Sequence, residues 1–233
     1  MRLSQADKLP HMVDWYSKAH AALLAEGLTR VDIAVAVRSA NTELREGSRE
    51  LLDTLGKHNV PTLLFSAGIE DLILEYLQVR AGGALPPSMH VVSNRIQWDT
   101  AGKASAFVAP LIHMFNKDDR HTADQPWFEA ARDRPNVVLI GDSLGDVTMA
   151  NRSVKTGTGR GKGKGKGKGK TGGNGPDTLL KIGFLNASTS SAVEASLPVY
   201  LERYDAVVLH DGDMEPVVGI LRDMLAGKSG SIA

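Results

Sequence analysis

The apolar positions of the chain follow helical spacing in some segments and strand spacing in others. Residues 8–26 carry apolar side chains at helical intervals, and Gly27 is expected to end this helix. Residues 31–37 alternate as a strand does, but their alanines and the flanking charges fit a short helix equally well. A hairpin is predicted over 94–107. Further helices are predicted over 46–58, 69–80, 190–203 and 213–226, with one more beginning at 124, and strands over 60–65, 90–93, 136–140, 179–185 and 205–210.

The alternation of strands and helices indicates the fold class. Strands joined by helical connections form mostly parallel sheets, so we predict a doubly wound, Rossmann-like α/β sheet. A length of 233 residues suits one such domain with an appendage, and a hydrophobic content of 42% suffices for its core. The chain contains no cysteine, which excludes disulfides, zinc thiolate sites and cysteine nucleophiles.

The sequence has neither the pattern of a membrane span nor that of a signal peptide. No apolar run reaches the roughly 18 residues of a transmembrane helix. The polar start, Met1-Arg-Leu-Ser-Gln-Ala-Asp7, lacks the apolar core of a signal peptide. We therefore expect a soluble, cytoplasmic monomer without a membrane partner.

The formal net charge of zero conceals one strongly basic segment. Residues 152–174 contain basic residues and no acidic one, so the rest of the chain is acidic. Within this region, 156–175 is dominated by glycine and lysine, a composition that cannot be buried, and we predict a disordered insert. A nucleotide-binding P-loop is excluded because Lys164 stands where its first glycine is required. No aromatic residue interleaves to stack on bases, so no specific nucleic-acid binding is expected.

The hexapeptide Gly141-Asp-Ser-Leu-Gly-Asp146 stands between a predicted buried strand and a helix start. Asp142 and Asp146 therefore lie at the carboxyl end of a strand, where open α/β sheets place their ligands. Carboxylates at this position are suitable ligands for Mg²⁺, although a plain turn with an aspartate helix cap has the same pattern.

A second interpretation of the hexapeptide is a nucleophilic serine. Gly-x-Ser-x-Gly after a strand is the pattern of a serine hydrolase, with Ser143 as nucleophile, and Gly-Asp-Ser-Leu is also an esterase motif. Such an enzyme needs a histidine base and an aspartate. Asp118-x-x-His121 lies upstream of the serine, and Asp205 with His210 satisfies only the order along the chain. A serine esterase is therefore the weaker alternative.

Phosphoryl transfer is the stronger alternative, because further groups that it needs occur in the required order. Such chemistry uses an aspartate nucleophile, Mg²⁺ to offset the phosphate charge, and hydroxyl and lysine donors for the phosphate oxygens. Ser66 ends an apolar strand, Lys117 lies in a later loop, and the two aspartates of the hexapeptide follow another strand.

These motifs resemble those of a known family, the type III cytosolic pyrimidine 5′-nucleotidases of the haloacid dehalogenase (HAD) superfamily. The similar stretches are 8–20, 44–47, 61–69, 91–94, 111–117, 141–146 and 180–186. They extend over nearly the whole chain except the Gly/Lys insert. The resemblance implies a HAD-like α/β core with a helical cap over the site.

The resemblance implies a phosphate-binding role for two segments. Ser66, Ala67 and Gly68 would bind the substrate phosphate at the end of a strand. Lys117 would bind the same phosphate and neutralise an aspartyl-phosphate. The implied substrate is a nucleoside 5′-monophosphate, either a pyrimidine one or, as in a sister group, 7-methylguanosine monophosphate. Ala19 stands where the family has a pocket serine, so a pyrimidine preference is not implied.

The resemblance also implies a metal site and a domain organisation. Asp142 would ligate Mg²⁺ and Asp146 would support the metal shell, so Lys117, Asp142 and Asp146 are the candidate catalytic residues. The implied domains are a cap remnant over 1–45, an α/β core over 46–155 and 176–233, and the insert over 156–175.

The sequence departs from the family pattern at the nucleophile. The family begins with a strand that ends in Asp-x-Asp-x-Thr, whose first aspartate attacks phosphorus, and the 233 residues contain no such motif. Asp211-Gly-Asp213 lies near the other end of the chain and is not followed by the threonine. We therefore expect the chain to begin inside the cap, to lack the central strand, and to be inactive or weakly active. The alternative function is that of a non-catalytic nucleotide- or phosphate-binding remnant.

Overall fold

The computed structural model describes residues 5–117, 131, 134–150 and 178–227. Its helices are α1 (Gln5–Ala25), α2 (Arg30–Ser39), α3 (Ser48–Lys57), α4 (Glu70–Arg80), α5 (Ser190–Leu201) and α6 (Glu215–Leu225). Its strands are β1 (Thr62–Ile69), β2 (Met89–Asn94), β3 (Ile96–Trp98), β4 (Ala104–Phe107), β5 (Asn136–Gly141), β6 (Thr178–Leu185) and β7 (Ala206–Leu209), and a 3₁₀ helix (Asp146–Ala150) follows β5. None of these helices combines the length and the apolar character that a membrane crossing requires. The helix predicted near 124 and the insert predicted over 156–175 lie outside the described residues.

The segment of ambiguous periodicity is helical and forms α2. Thr29 caps this helix: its hydroxyl accepts from the Asp32 amide at 3.2 Å, and the Asp32 carboxylate accepts from the Thr29 amide at 2.8 Å. Ile33 and Val37, four residues apart, are buried, whereas Val35 between them is 58% exposed. The helical alternative is therefore correct, because residues one helical turn apart share the buried face.

The described strands form two parallel sheets and one antiparallel hairpin. β1 pairs with β2 from Thr62↔Met89 onward, with an irregularity between Phe65 and Ile69. β5 pairs with β6, and β6 pairs with β7. β3 and β4 form the predicted hairpin. The α/β class and the parallel pairing are confirmed. The described parallel strands lie in two sheets rather than in one continuous sheet, and within them β1, β2, β5 and β7 are each paired on one edge only.

One buried cluster joins the two parallel sheets to α3 and α6. It contains Met89 of β2 together with Ile182 and Phe184 of β6. Val217 and Val218 of α6 pack into the same cluster and are 0% exposed. Burial of each such side chain contributes about 1.5–3 kcal/mol, so this cluster holds the strand ends in fixed relation to one another.

The residues predicted to belong to a cap share a second, smaller cluster with the hairpin. Ile33 and Val37 of α2 pack against Ile96 of β3 and Ala104 of β4. The segment before α3 is therefore anchored by its own apolar contacts and not only by the chain connection.

Two glycines in register leave room for an aromatic ring beside the β5–β6 ladder. Gly141 of β5 pairs directly with Gly183 of β6. A Cβ atom on Gly183 would lie 2.7 Å from ring carbons of Tyr204, and one on Gly141 would lie 2.9 Å from its hydroxyl oxygen. Tyr204 is 3% exposed: its ring occupies the space that a side chain at position 183 would need, and its hydroxyl and the Cβ atom of Asp146 occupy that space at position 141.

Gly183→Ala should lower the free energy of unfolding by about 1–3 kcal/mol, because the added methyl group overlaps the ring of Tyr204. Gly219 is the matched control, since a Cβ there meets nothing within 4 Å and the residue lies inside α6. Gly219→Ala should raise the free energy of unfolding by up to about 1 kcal/mol through helix propensity. Urea unfolding followed by circular dichroism measures both. Equal effects of the two substitutions would contradict the packing described for Tyr204.

Candidate active site

The predicted metal loop follows β5 and turns directly into the 3₁₀ helix. The amide of Asp146 donates to the carbonyl of Ser143 at 3.1 Å and closes a tight turn. Asp146 is 3% exposed, whereas Asp142 is exposed. The two aspartates that were predicted to act together therefore have different environments.

The buried Asp146 carboxylate joins two loops of the site. Its Oδ1 accepts a hydrogen bond from Lys117 Nζ at 2.8 Å, and the side chains of Lys117 and Asp146 are 14% and 4% exposed. Its Oδ2 accepts from the amide of Asp142 at 3.2 Å and from that of Ser143 at 3.0 Å. The carboxylate thus connects the loop that carries Lys117 to the turn after β5.

The charge of Asp146 is stabilised by its partners. Burial by itself would raise the pKa of Asp146, because a buried carboxylate loses its hydration. The hydrogen bond and positive charge of Lys117, with the amide of Ser143, outweigh burial and hold the pKa of Asp146 below its ordinary value. Asp146 is therefore ionised throughout the neutral pH range.

Asp142 is held through its backbone, and its carboxylate faces outward. Its carbonyl accepts from the Tyr200 hydroxyl at 2.7 Å, and the next carbonyl, of Ser143, accepts from the Tyr204 hydroxyl at 2.5 Å. Burial, together with the charges of the nearby aspartates, raises the pKa of both tyrosines, so both hydroxyls stay protonated and donate. Within the described residues, no hydrogen bond or ion pair occupies the Asp142 carboxylate.

The predicted phosphate-binding turn lies in the last residues of β1. Ser66 Oγ accepts a hydrogen bond from the amide of Gly68 at 3.0 Å. The carbonyl of Gly68 accepts from Ser93 Oγ at 2.6 Å, and the carbonyl of Ala67 accepts from Asn94 Nδ2 at 2.9 Å. Ser93 and Asn94, at the end of the neighbouring strand β2, therefore fix the backbone of this turn.

Asn94 also connects this turn to the loop that carries Lys117. Asn94 is 2% exposed, its Nδ2 donates to the carbonyl of Ile112 at 2.9 Å, and its Oδ1 accepts from the amide of Ile112 at 2.9 Å. Asn116 Oδ1 accepts from the amide of His113 at 2.7 Å and closes the same loop just before the lysine. One buried carboxamide thus holds two of the predicted site segments in a fixed relation.

The structure brings some of the predicted residues into contact and leaves one apart. Lys117 contacts Asp146 directly, and the amide of Asp142 contacts the same carboxylate. Among the residues that the structure describes, no hydrogen bond or ion pair joins Ser66 to Lys117 or to either aspartate. The link between Ser66 and Lys117 runs through Asn94 and the loop that Asn94 binds.

Three residues that shape the site were missed by the sequence analysis. Tyr200 and Tyr204 follow their loop partners by 58 and 61 positions. In the sequence, Tyr200 looks like an ordinary position of the predicted helix 190–203, and Tyr204 directly follows that helix. Asn94 lies in a stretch shared with the family, but a polar residue at a strand end is usually a turn residue. No local pattern distinguished these three residues.

The fold is that of the HAD-like α/β proteins. The chain is similar to the crystal structure of cytosolic 5′-nucleotidase IIIB bound to cytidine, with a TM-score of 0.69 and 24% sequence identity. The match covers 97% of this chain and 65% of that one. At this level of identity the likeness defines the fold.

Sequence comparison then defines the family. The pattern of the pyrimidine 5′-nucleotidase (UMPH-1) family matches residues 1–157. The 7-methylguanosine phosphate-specific 5′-nucleotidases of Mus musculus and Gallus gallus are each 35% identical over 219 residues, which make up 94% of this chain. The chain belongs to the pyrimidine 5′-nucleotidase family, as its motifs predicted. It spans 64% of the length of the mouse relative and 67% of the chicken one.

Lys117→Met should lower the free energy of unfolding by about 3–5 kcal/mol, because it leaves the Asp146 carboxylate buried without its counter-charge. Lys18→Met is the matched control: Lys18 pairs with Asp14 at 2.7 Å, but their side chains are 76% and 59% exposed. Losing such an exposed pair costs at most about 1 kcal/mol. Chemical denaturation at neutral pH measures both. A loss in Lys117→Met as small as in the control would contradict a structural role for the buried pair.

The lowered pKa of Asp146 predicts how the pair responds to acid. Its folded-state pKa lies below the unfolded-state value of about 4. Its contribution to stability is therefore complete above that value and is lost as the pH falls through the folded-state pKa. Asp146→Asn should be less stable than the unchanged chain at neutral pH, and the difference should narrow below about pH 4. Urea titrations across this pH range without divalent cations measure the difference, and widening on acidification would disprove the assignment.

Proposed function

We propose that this chain carries the phosphate- and magnesium-binding site of a 5′-nucleotidase, an enzyme that hydrolyses nucleoside 5′-monophosphates. The observation that carries the proposal is the buried Lys117–Asp146 pair beside the exposed carboxylate of Asp142. A cation and a carboxylate thus lie next to each other at the carboxyl end of a parallel strand, where α/β proteins bind their ligands. Membership of the family favours the same interpretation. In this interpretation Ser143 is not a nucleophile.

In this proposal, Lys117 and the turn of Ser66, Ala67 and Gly68 bind the phosphate. An ammonium group has three donors, so Lys117 can bind phosphate oxygens while it stays paired with Asp146. The hydroxyl oxygen of Ser66 accepts from the amide of Gly68, which leaves the hydroxyl proton available for a phosphate oxygen.

The donor set of the site suits magnesium. The described residues contain no group of three or more histidine, aspartate or glutamate side chains that could hold a metal ion. Magnesium needs fewer, because it keeps several waters and is bound through one or two carboxylates plus substrate phosphate. Asp142 would ligate the ion directly, and Asp146 would support it from behind, since both oxygens of Asp146 have protein partners. When bound, the ion offsets the charge of the phosphate.

The nucleophile decides whether bound substrate is hydrolysed. In the family, the first aspartate of Asp-x-Asp-x-Thr attacks phosphorus, and the 233 residues contain no such motif. We therefore propose that this polypeptide by itself binds nucleotide with little or no turnover. The second candidate function, non-catalytic binding of a nucleotide or phosphate, rests on the same pair and predicts ligand binding with no phosphate release at all.

The proposed ligand is a nucleoside 5′-monophosphate with a pyrimidine or a 7-methylguanine base. The family is named for pyrimidine nucleotides, whereas the mouse and chicken relatives are named for 7-methylguanosine phosphate. Ala19 of α1 replaces a pocket serine of the family and does not favour the pyrimidine. We further propose that the protein acts in the cytosol, because two similar proteins are named cytosolic 5′-nucleotidases. We also propose that it is a monomer.

The test combines phosphate release and binding measurements with CMP, UMP and 7-methyl-GMP, each with and without Mg²⁺. We expect Mg²⁺-dependent binding by calorimetry with little or no phosphate release. Asp142→Asn should abolish the Mg²⁺ dependence, because it removes the proposed ligand charge at an exposed position. Lys57→Met, at an exposed position in the last turn of α3, changes none of the proposed site residues and should bind as the unchanged chain does.

Each outcome bears on a different part of the proposal. Robust phosphate release that Asp142→Asn abolishes would refute the proposed inactivity and support the metal assignment. Failure to bind any of the three nucleotides would refute the proposed site. Cleavage of p-nitrophenyl esters that is lost in Ser143→Ala would support the serine esterase instead.

A further inference from the structure

The loop that carries Asp142 is tied on both sides of its backbone. On the amide side, Asp146 Oδ2 accepts from Asp142 and Ser143 at 3.2 and 3.0 Å. On the carbonyl side, Tyr200 donates to Asp142 at 2.7 Å and Tyr204 donates to Ser143 at 2.5 Å. Two consecutive residues therefore have both of their backbone polar groups bound by side chains, while the Asp142 carboxylate stays exposed.

The two tyrosines are themselves held rigidly. Their rings stack with centroids 5.8 Å apart and an interplanar angle of 22°. Tyr204 lies against the bare backbone of the paired residues Gly141 and Gly183, where a Cβ on Gly183 would approach its ring to 2.7 Å. The hydroxyl of Tyr204 consequently has little freedom to leave the Ser143 carbonyl.

We propose that Tyr200 and Tyr204 are positioning residues that orient the Asp142 carboxylate toward a divalent cation and so set the affinity of the site for it. This inference rests on the proposed function, in which Asp142 ligates magnesium. A ligand whose backbone is already fixed loses less conformational freedom when it binds the ion. Residues that support a metal ligand from outside typically change metal affinity by about 10- to 100-fold when they are mutated.

A positioning role and a merely structural role of the tyrosines predict different effects on cation affinity. If the tyrosines only stabilised the fold, removing a hydroxyl would lower the unfolding temperature and leave cation affinity unchanged. If they position Asp142, the affinity falls even where the protein stays fully folded. Tyrosine-to-phenylalanine substitutions suit this distinction, because they delete one hydroxyl and keep the ring that packs on the glycines.

The experiment measures Mn²⁺ binding to the full chain by electron paramagnetic resonance, with Mg²⁺ as competitor, at a temperature where circular dichroism shows each variant folded. Tyr204→Phe and Tyr200→Phe should each weaken Mn²⁺ binding by about 10-fold, and the double variant should weaken it further. Tyr76→Phe is the matched control, since Tyr76 packs against the second cluster, formed by α2 and the β3–β4 hairpin. This substitution should leave the Mn²⁺ affinity unchanged. Asp142→Asn gives the Mn²⁺ affinity that remains when the proposed metal ligand itself is lost.

The outcomes distinguish failure of this inference from failure of the proposed function. If the unchanged chain binds Mn²⁺ through Asp142 but both phenylalanine variants bind equally well, the positioning role is refuted and the magnesium site stands. If the unchanged chain binds no Mn²⁺, or binds it equally in Asp142→Asn, the magnesium site is refuted and the positioning role with it. A loss of affinity in Tyr76→Phe as large as in Tyr204→Phe would also refute the positioning role.

Discussion

The arrangement of the site depends on one buried charge. The Asp146 carboxylate is 3% exposed, and an ion in that environment must be compensated by charge and hydrogen bonds. Lys117 supplies the charge, and the amides of Asp142 and Ser143 supply two hydrogen bonds. This requirement brings a loop from another part of the chain against the turn after β5. The neighbouring Asp142 meets the buried carboxylate only through its backbone amide, and its own side chain is exposed.

A second constraint comes from the absence of side chains at the paired positions Gly141 and Gly183. Their bare backbones allow the Tyr204 ring to approach the ladder, and its hydroxyl then reaches the Ser143 carbonyl. One tyrosine thus contributes both to the packing of the core and to the conformation of the loop. The same tyrosine therefore packs against the sheet and fixes the backbone of the loop.

One buried cluster connects the two parallel sheets. β2 and β6 contribute to this cluster with α3 and α6, so the sheets share a core although their described strands do not pair with each other. Asn94 provides a further connection within the site, because it binds both the turn after Ser66 and the loop before Lys117. In the function proposed for this arrangement, the serine turn and the lysine bind a phosphate, and the strand-end aspartates bind a magnesium ion.

The sequence by itself determined the α/β class, most of the helices and strands, the family, and the order of Ser66, Lys117 and the two aspartates, because periodicity and motif spacing belong to contiguous residues. Alternation alone did not decide whether residues 31–37 form a helix or a strand, because their larger apolar residues stand at every second position. The structure shows that they belong to the helix α2. Only the tertiary structure decided that Asp146 is buried and Asp142 exposed, and that Asn94 and two tyrosines hold their loops. These features depend on contacts between residues far apart in the chain, 29 positions for Lys117 and Asp146, and no local pattern specifies which side chain will meet a buried charge.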